Sequence, residues 1–550
     1  ANTHQATVRE VAKSLQDGFD SLQASLHDVP DKHRGLHMLF EMSWHTLTPA
    51  LQQQLARLTV FRGGFTETAA RQITAATAQH LAALVNKSLL AYHAEAERYT
   101  LHPVIRTYAA EKLSFADPTP QKHVHFFLTL LAQHTKPLQK ERPQDSINLL
   151  EPDIDNIRRA WQTGLAERKA MLLYEALISL SIYYQLRGLA REGEAIMHAT
   201  LDVAKGWGND GTALAIRAGL ERARFQNRLG QFHPAIQTSQ ATLKLARQTV
   251  DEWAVAMGHV WWGESLWRLG KYSEADKKLA AALKLALQLE DTEIIGWCYH
   301  QLGIVHDIQG DHDRALTHFE QARQQWEALD HAQNLSNSLN SIGIVKLHQG
   351  DFEAAQPILE AALELCNKIG NQHVQATILN NLSIIASRQD DYEGANYYLR
   401  LGLELATVNG NLTAQAEILN NLGRNYLIIE QQEAAANVLE QGLETSRLIG
   451  EPQIQISTLV NFARLKILQG DVSAADATYK QALKIARKYD LKHYKFEIFI
   501  NMAQRWGDVD REAAIKYAAK AKAVAKSLQN PIFVNRADEV MVRFDMAEEK

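Results

Sequence analysis

Asparagine recurs in this chain at a spacing that would line its side chains up on a repeating scaffold. Taken every 40 residues, one column reads Trp261, Gln301, Ser341, Asn381, Asn421 and Asn461, and the column before it reads Val260, His300, Asn340, Asn380, Asn420 and Val460. A side-chain amide holds both donors and an acceptor, so a row of amides can bond an extended main chain whatever its sequence. Three residues beyond the first column stand Glu264, Ile304, Ile344, Ile384, Arg424 and Arg464. A guanidinium forks onto a carboxylate or a phosphate, which makes Arg424 and Arg464 candidate anion contacts. Aromatics gather earlier, at Trp253, Trp261, Trp262, Trp267, Trp297 and Tyr299. They offer an apolar anchor at the opposite end of the same groove. The candidate partner-binding residues are therefore Asn380, Asn381, Asn420, Asn421, Asn461, Arg424, Arg464, Trp261 and Trp297. Each has a plainer alternative: asparagine also cross-links neighbouring helices, and tryptophan at helical spacing also fills cores.

Catalytic chemistry is harder to find. The chain has no GxSxG, HExxH or paired-cysteine motif, and no GxxxxGK-Ser/Thr loop whose amides would cradle phosphate. We read it as a non-enzyme. His306, His312 and His318 stand near Asp307, Asp311 and Asp313, which are metal-ligand types. They straddle Gly310 at a turn, and the expectation is polar surface, with no metal site. Cys298 and Cys366 are too few for a disulfide framework and suit a reducing compartment. A net charge of -5 argues against non-specific nucleic-acid binding by the whole chain. No stretch approaches about eighteen uncharged apolar residues, and ANTHQATVREV is no secretory signal. A cytoplasmic location without membrane contact is expected.

The elements that must position these residues follow from the period. RLGQF, RLGKY, IQGDH, HQGDF, RQDDY, IEQQE and LQGDV place Gly230, Gly270, Gly310, Gly350, Asp390, Glu430 and Gly470 at equal steps. Five residues on runs an unbroken column, Ala235, Ala275, Ala315, Ala355, Ala395, Ala435 and Ala475. A second small column holds Ala282, Ala322, Ala362, Gly402, Gly442 and Ala482. Small residues let two helices approach closely, and glycine permits the left-handed turn between them. Leu359, Ala362, Leu363 and Cys366 fall on one helical stripe. The 46% hydrophobic and 22% charged residues suit such a globular array.

These columns, with the pairs Leu302-Gly303, Ile342-Gly343 and Leu422-Gly423, resemble the tetratricopeptide repeat. The period exceeds that family's usual length of about 34, so longer helices are expected. The resemblance implies an all-α, right-handed superhelix of roughly eight or nine helix pairs over 171–530, a capping helix over 531–550, and a concave face that binds peptide or protein. In that family the asparagine of the first column grips a bound peptide's backbone.

Upstream, Thr48-Pro49 opens a helix bearing Leu51, Leu55 and Leu58, and SLLAYH with RYTLH forms a hairpin signal around AEAE. Three helices and a hairpin are a winged-helix order. MSWHTL, LARLTVFRGGFT, LAALVNKSLL and YTLHPVIRTYAAEKL resemble the winged helix of bacterial STAND (NB-ARC, MalT-like) signal-transduction ATPases. Leu101-His102-Pro103 stands where relatives carry Met-His-Asp, so the resemblance gives His102 a role in sensing nucleotide, with proline removing the acidic contribution; a strand-end histidine packed on the next helix is the alternative. EPDIDNIRRAW, Glu151 to Trp161, resembles the joint to the repeats. The expected organisation is 1–35 as the end of an ATPase-associated helical segment, 36–115 as winged helix and 116–170 as helical linker. This chain needs no cofactor of its own, whereas ATP or ADP would belong to a full-length protein with an upstream nucleotide-binding domain; self-association on activation stays open. A DNA-binding regulator is the alternative, ranked behind because TAQHLAALVNKSLL carries one lysine. A passive scaffold is a further one.

Overall fold

The computed structural model describes residues 41–140, 143–408, 410–489, 491–507, 510–527 and 531–545, so the expected segment 1–35 lies outside the described residues. The described residues fall into two compact units, one within 1–136, 144–180 and 206–214, the other within 137–143, 181–205 and 215–550. No helix among the described residues is long and apolar enough to cross a membrane.

The first unit begins with α1 (Pro49–Leu58), where Thr48 accepts the Leu51 amide and Pro49 occupies the first turn. Then follow β1 (Gly64–Phe65), α2 (Glu67–Thr74), α3 (Ala78–Asn86), β2 (Ala91–His93), β3 (Arg98–Thr100) and α4 (Pro103–Glu111). The expected hairpin is present, with Tyr92 opposite Tyr99. The two-residue β1 adds a third strand, pairing antiparallel with β3 through Gly64 and Thr100. Phe61, Phe65 and Phe127 form the core, with the first two rings stacked at 4.3 Å. The Glu151 to Trp161 stretch is fastened to this sheet. Asn156 accepts the Arg62 amide at 2.7 Å and donates to the Gly64 carbonyl at 2.9 Å, while Arg98 pairs with Asp153.

In the second unit, hairpins repeat at the predicted period. First helices run over Glu252–Arg268, Thr292–Ile308, Ala332–His348, Gln372–Arg388, Leu412–Ile428, Pro452–Leu468 and Lys492–Trp506. Second helices run over Tyr272–Gln288, His312–Ala328, Phe352–Ile369, Tyr392–Val408, Gln432–Ile449, Val472–Lys488 and Arg511–Ser527. The last is followed by Pro531–Asp545. Between the helices of a hairpin, Gly270, Gly310, Gly350 and Gly470 take φ between 77° and 84°. The next amide closes the turn onto the carbonyl five residues back, as Lys271 N to Leu266 O at 2.9 Å, and caps the helix. Asp390 and Glu430 adopt the same left-handed conformation at 61° and 60° without glycine's freedom.

Every alanine of the column Ala235 to Ala475 is fully buried. The Leu-Gly pair has an equally direct reason. A Cβ on Gly263, Gly303 or Gly343 would stand 2.6–2.7 Å from Leu279, Phe319 or Leu359 of the second helix, so glycine lets the two helices close onto these bulky side chains, and the same column stays small where Ser383 and Ala463 stand in it. First helices also touch the first helices of neighbouring hairpins, which places them in the inner layer of the curve. The winding brings distant hairpins of this unit together. Arg268 meets Glu451 at 3.0 Å across 183 residues, and a Cβ on Gly230 would lie 2.9 Å from the Ile449 carbonyl.

Candidate partner-binding face

The amide columns do align on the inner layer, and the structure shows what holds them there. Asn381 donates to Asn340 at 2.9 Å, Asn421 to Asn380 at 2.8 Å, and Asn461 to Asn420 at 2.8 Å. Each bond joins one first helix to the next. Asn380, Asn381, Asn421 and Asn461 are all under 10% exposed, so an unpaired amide at any of them would carry its full desolvation cost. The pairing gives these side chains an architectural role: a staple between hairpins. It consumes one donor or one acceptor of each amide, out of two donors and a carbonyl.

At both ends of the ladder the chemistry changes. Trp267 donates to Gln301 at 2.8 Å, and Asn227 donates to the Trp261 carbonyl at 3.0 Å. Trp261 is 1% exposed and Trp297 8%; their rings meet edge to face at 5.2 Å, and Trp297 meets Trp326 at 5.4 Å. Both candidate tryptophans are thus mainly core. Arg224 lies over both rings, 5.2 Å and 5.0 Å from their centroids, so a cation covers this aromatic end.

The arginines are the more open part. Arg464 donates through Nε to Asn501 at 2.9 Å and remains exposed. Arg424 is half-buried, and its guanidinium is held below its ordinary proton affinity by burial first and then by the charges of Arg388 and Arg464. The three cations thus lie near enough to one another for their charges to interact. Arg388 escaped the sequence reading because it lies four residues beyond the arginine column, one helical turn further along its own helix.

A second polar centre was not visible in the sequence at all. Glu451, paired with Arg268, also faces Glu417, whose carboxyl is pushed up to about 7 by burial first and by the Glu451 charge, against the pull of Arg268. Tyr272 is hydrogen-bonded to Gln453, and burial raises its phenol. Tyr494 is shifted the same way by burial, and the charges of Glu417 and Glu451 add to this.

The remaining candidates make other contacts. His102 is exposed and precedes α4, where its Nδ1 accepts the Val104 amide at 3.3 Å as a helix cap. His306 stacks on His318 with centroids 5.2 Å apart. With Asp276, Leu283, Leu287 and Leu302 they line an open pocket of about 560 Å3. His312 turns to the other side, onto Asp307, which His348 also reaches. Cys298 and Cys366 are buried free thiols, their proton affinity raised by burial, Cys366 to about 11.

Comparison with known proteins bears on the array. Residues 255–328 and 334–407 match the tetratricopeptide repeat family, as do residues 456–489. No curated protein sequence matches. Among solved structures, a Signal Transduction ATPase with Numerous Domains (STAND) protein with a tetratricopeptide repeat sensor, from Pyrococcus horikoshii, is similar at 17% identity and a TM-score of 0.52, over 90% of this chain and 72% of that one. A Rap protein complexed with competence and sporulation factor is similar at 13% identity and a TM-score of 0.51, over 65% of this chain and 98% of that one. At such identities the likeness is one of fold. The matched residues are tetratricopeptide repeats, and the array they belong to is an all-α tetratricopeptide superhelix.

Proposed function

We propose that this chain is the sensing region of a STAND-type signal-transduction ATPase, its repeat array binding an extended peptide or protein segment and its first unit passing that event to a nucleotide-binding domain. The observation that carries the binding half is the gathering of Arg388, Arg424 and Arg464 beside a ladder of paired amides on the inner layer. Cations that repel one another in a half-buried place gain most from an anion, so the partner presents a carboxylate there. The ladder holds the hairpins in register, and the N–H groups it does not consume face the partner's main chain. Trp261 and Trp297 stiffen the far end from within. That a Rap protein of similar fold is complexed with competence and sporulation factor supports a ligand in such a superhelix.

The relay half is supported by the order helix, strand, helix, helix, strand, strand with sheet order β1-β3-β2, which is that of a winged helix. The stapling of Asp153 and Asn156 onto β1 and β3 supports it too, because it makes the joint stretch and the wing one body. On this reading His102, exposed at the start of α4, is presented to the nucleotide domain. A DNA-binding role is weaker: α3, the reading helix of such a module, is AQHLAALVN and has no lysine or arginine.

The test is a fluorescence-polarisation screen of short labelled peptides, each made with a free and an amidated C terminus, against the wild-type chain and an Arg424→Ala/Arg464→Ala variant. The proposal expects hits that lose at least tenfold in affinity on amidation or in the variant. Hits indifferent to both changes would remove the arginines from the site.

A further inference from the structure

The histidines flanking Gly310 form a constellation of their own. The Asp307 side chain is 9% exposed, and two imidazoles converge on it. His312 Nδ1 lies 2.9 Å from one carboxylate oxygen and His348 Nδ1 3.0 Å from the carboxylate. The three ligating atoms all lie within 4.8 Å of one another, and the two rings stand 5.8 Å apart. Asp307 comes from the last turn of the first helix Thr292–Ile308, His312 from the start of its second helix, and His348 from the end of the next first helix, Ala332–His348.

Two imidazole nitrogens and one carboxylate are the donor set of borderline divalent ions, zinc foremost. The set carries one negative charge when both rings are neutral, and its members are held by three different helix ends, so they converge without chain rearrangement. Zinc bonds to nitrogen and oxygen are about 2.0–2.2 Å, which in a tetrahedron separates ligand atoms by about 3.3–3.6 Å. The observed 2.9–3.0 Å approaches need to widen by only a few tenths of an ångström to admit an ion. A carboxylate only accepts, so each Nδ1 facing Asp307 donates to it when no ion is bound; an ion would take the Nδ1 lone pair instead, with the ring proton on Nε2.

We propose that Asp307, His312 and His348 form a binding site for one divalent transition-metal ion, of the zinc class. The ion clips the hairpin of Thr292–Ile308 and His312–Ala328 to the following first helix. Successive hairpins otherwise meet through side-chain packing and single hydrogen bonds, so a three-ligand clip stiffens the array at one chosen joint. The site is separate from the arginine region, and its occupancy does not depend on the partner proposed above.

Titration of untagged protein with zinc chloride, and with cobalt chloride for its visible spectrum, tests this. The expected result is one saturable ion per chain with micromolar affinity, cobalt bands indicating imidazole and carboxylate ligation, and a melting temperature that rises to a plateau with the ion. His312→Ala/His348→Ala should lose at least tenfold in affinity together with the thermal shift, while His198→Ala, at an exposed histidine on another helix, should keep both. Circular dichroism before titration shows whether the double variant is folded; His348→Gln serves if it is not. Absence of a saturable site, or zinc affinity unchanged in the double and His348→Gln variants, overturns the proposal.

Discussion

Replacing Glu417 by glutamine should stabilise the array at neutral and alkaline pH and leave it unchanged in acid. Burial and the neighbouring Glu451 raise the Glu417 carboxyl from 4.5 to about 7. A carboxylate whose folded-state value lies above its unfolded value binds more protons when folded, so stability falls as pH rises from about 4.5 to about 7 and then levels off. Each unit of that interval corresponds to about 1.4 kcal/mol, which sets an upper bound of ~3.5 kcal/mol. The side chain retains some solvent contact and Arg268 offsets part of the repulsion, so about 1–2 kcal/mol is expected. Glutamine is nearly isosteric and uncharged, and it removes this cost. Thermal denaturation followed by circular dichroism at pH 8 and pH 4.5 is the assay, with amide exchange over Pro452–Leu468 as a local readout, because Glu451 leads into that helix. The variant should melt higher than wild type at pH 8, with the difference vanishing at pH 4.5. A gap of equal size at both values, or none at pH 8, would refute the assignment of a strained ionised carboxylate at this contact.

The other predictions rest on single contacts. Arg268→Ala removes the partner of Glu451, whose side chain is 10% exposed, and should cost about 1–3 kcal/mol at pH 8, read as faster amide exchange at the start of Pro452–Leu468. Asn421→Ala leaves the buried Asn380 carbonyl without its donor, and should cost about 1–3 kcal/mol by urea midpoint; the Asn380→Ala/Asn421→Ala pair should cost less than the sum of the singles, and strict additivity would mean that the ladder bond contributes nothing. Gly303→Ala sets a Cβ 2.7 Å from the Phe319 ring, itself 2% exposed, and should destabilise by about 1–3 kcal/mol; a neutral effect would show that the ring can shift. In the first unit, Asn156→Ala should speed amide exchange in β1, since it removes the acceptor of the Arg62 amide and a donor to Gly64.

Much of the fold was legible because it is local and periodic. A turn glycine, an alanine in the middle of the second helix and a Leu-Gly pair in the first all serve the approach of two consecutive helices; the alanine recurs at every step of 40 residues and the two glycines at most of them. Thr48-Pro49 marked a helix start for an equally local reason: the hydroxyl caps an amide three residues on. The strand β1 was not legible, because Gly64 and Phe65 are too short for any alternation and become a strand only by pairing with β3.

Sequence alone determined which side chains share a column; the tertiary structure decided what each column does. Asn381, Asn421 and Asn461 aligned as the period required, but neighbouring first helices lie close enough for each amide to reach the column before it, 41 residues back, and so the ladder bonds to itself. His312 could be placed beside Asp307 by its position at the turn, whereas His348 joins them only because the next hairpin stacks alongside. The meeting of Arg268, Glu417 and Glu451 lies furthest from the sequence. It depends on the pitch of the superhelix, which accumulates from a small rotation at each interface between hairpins, and no single residue or spacing encodes that sum.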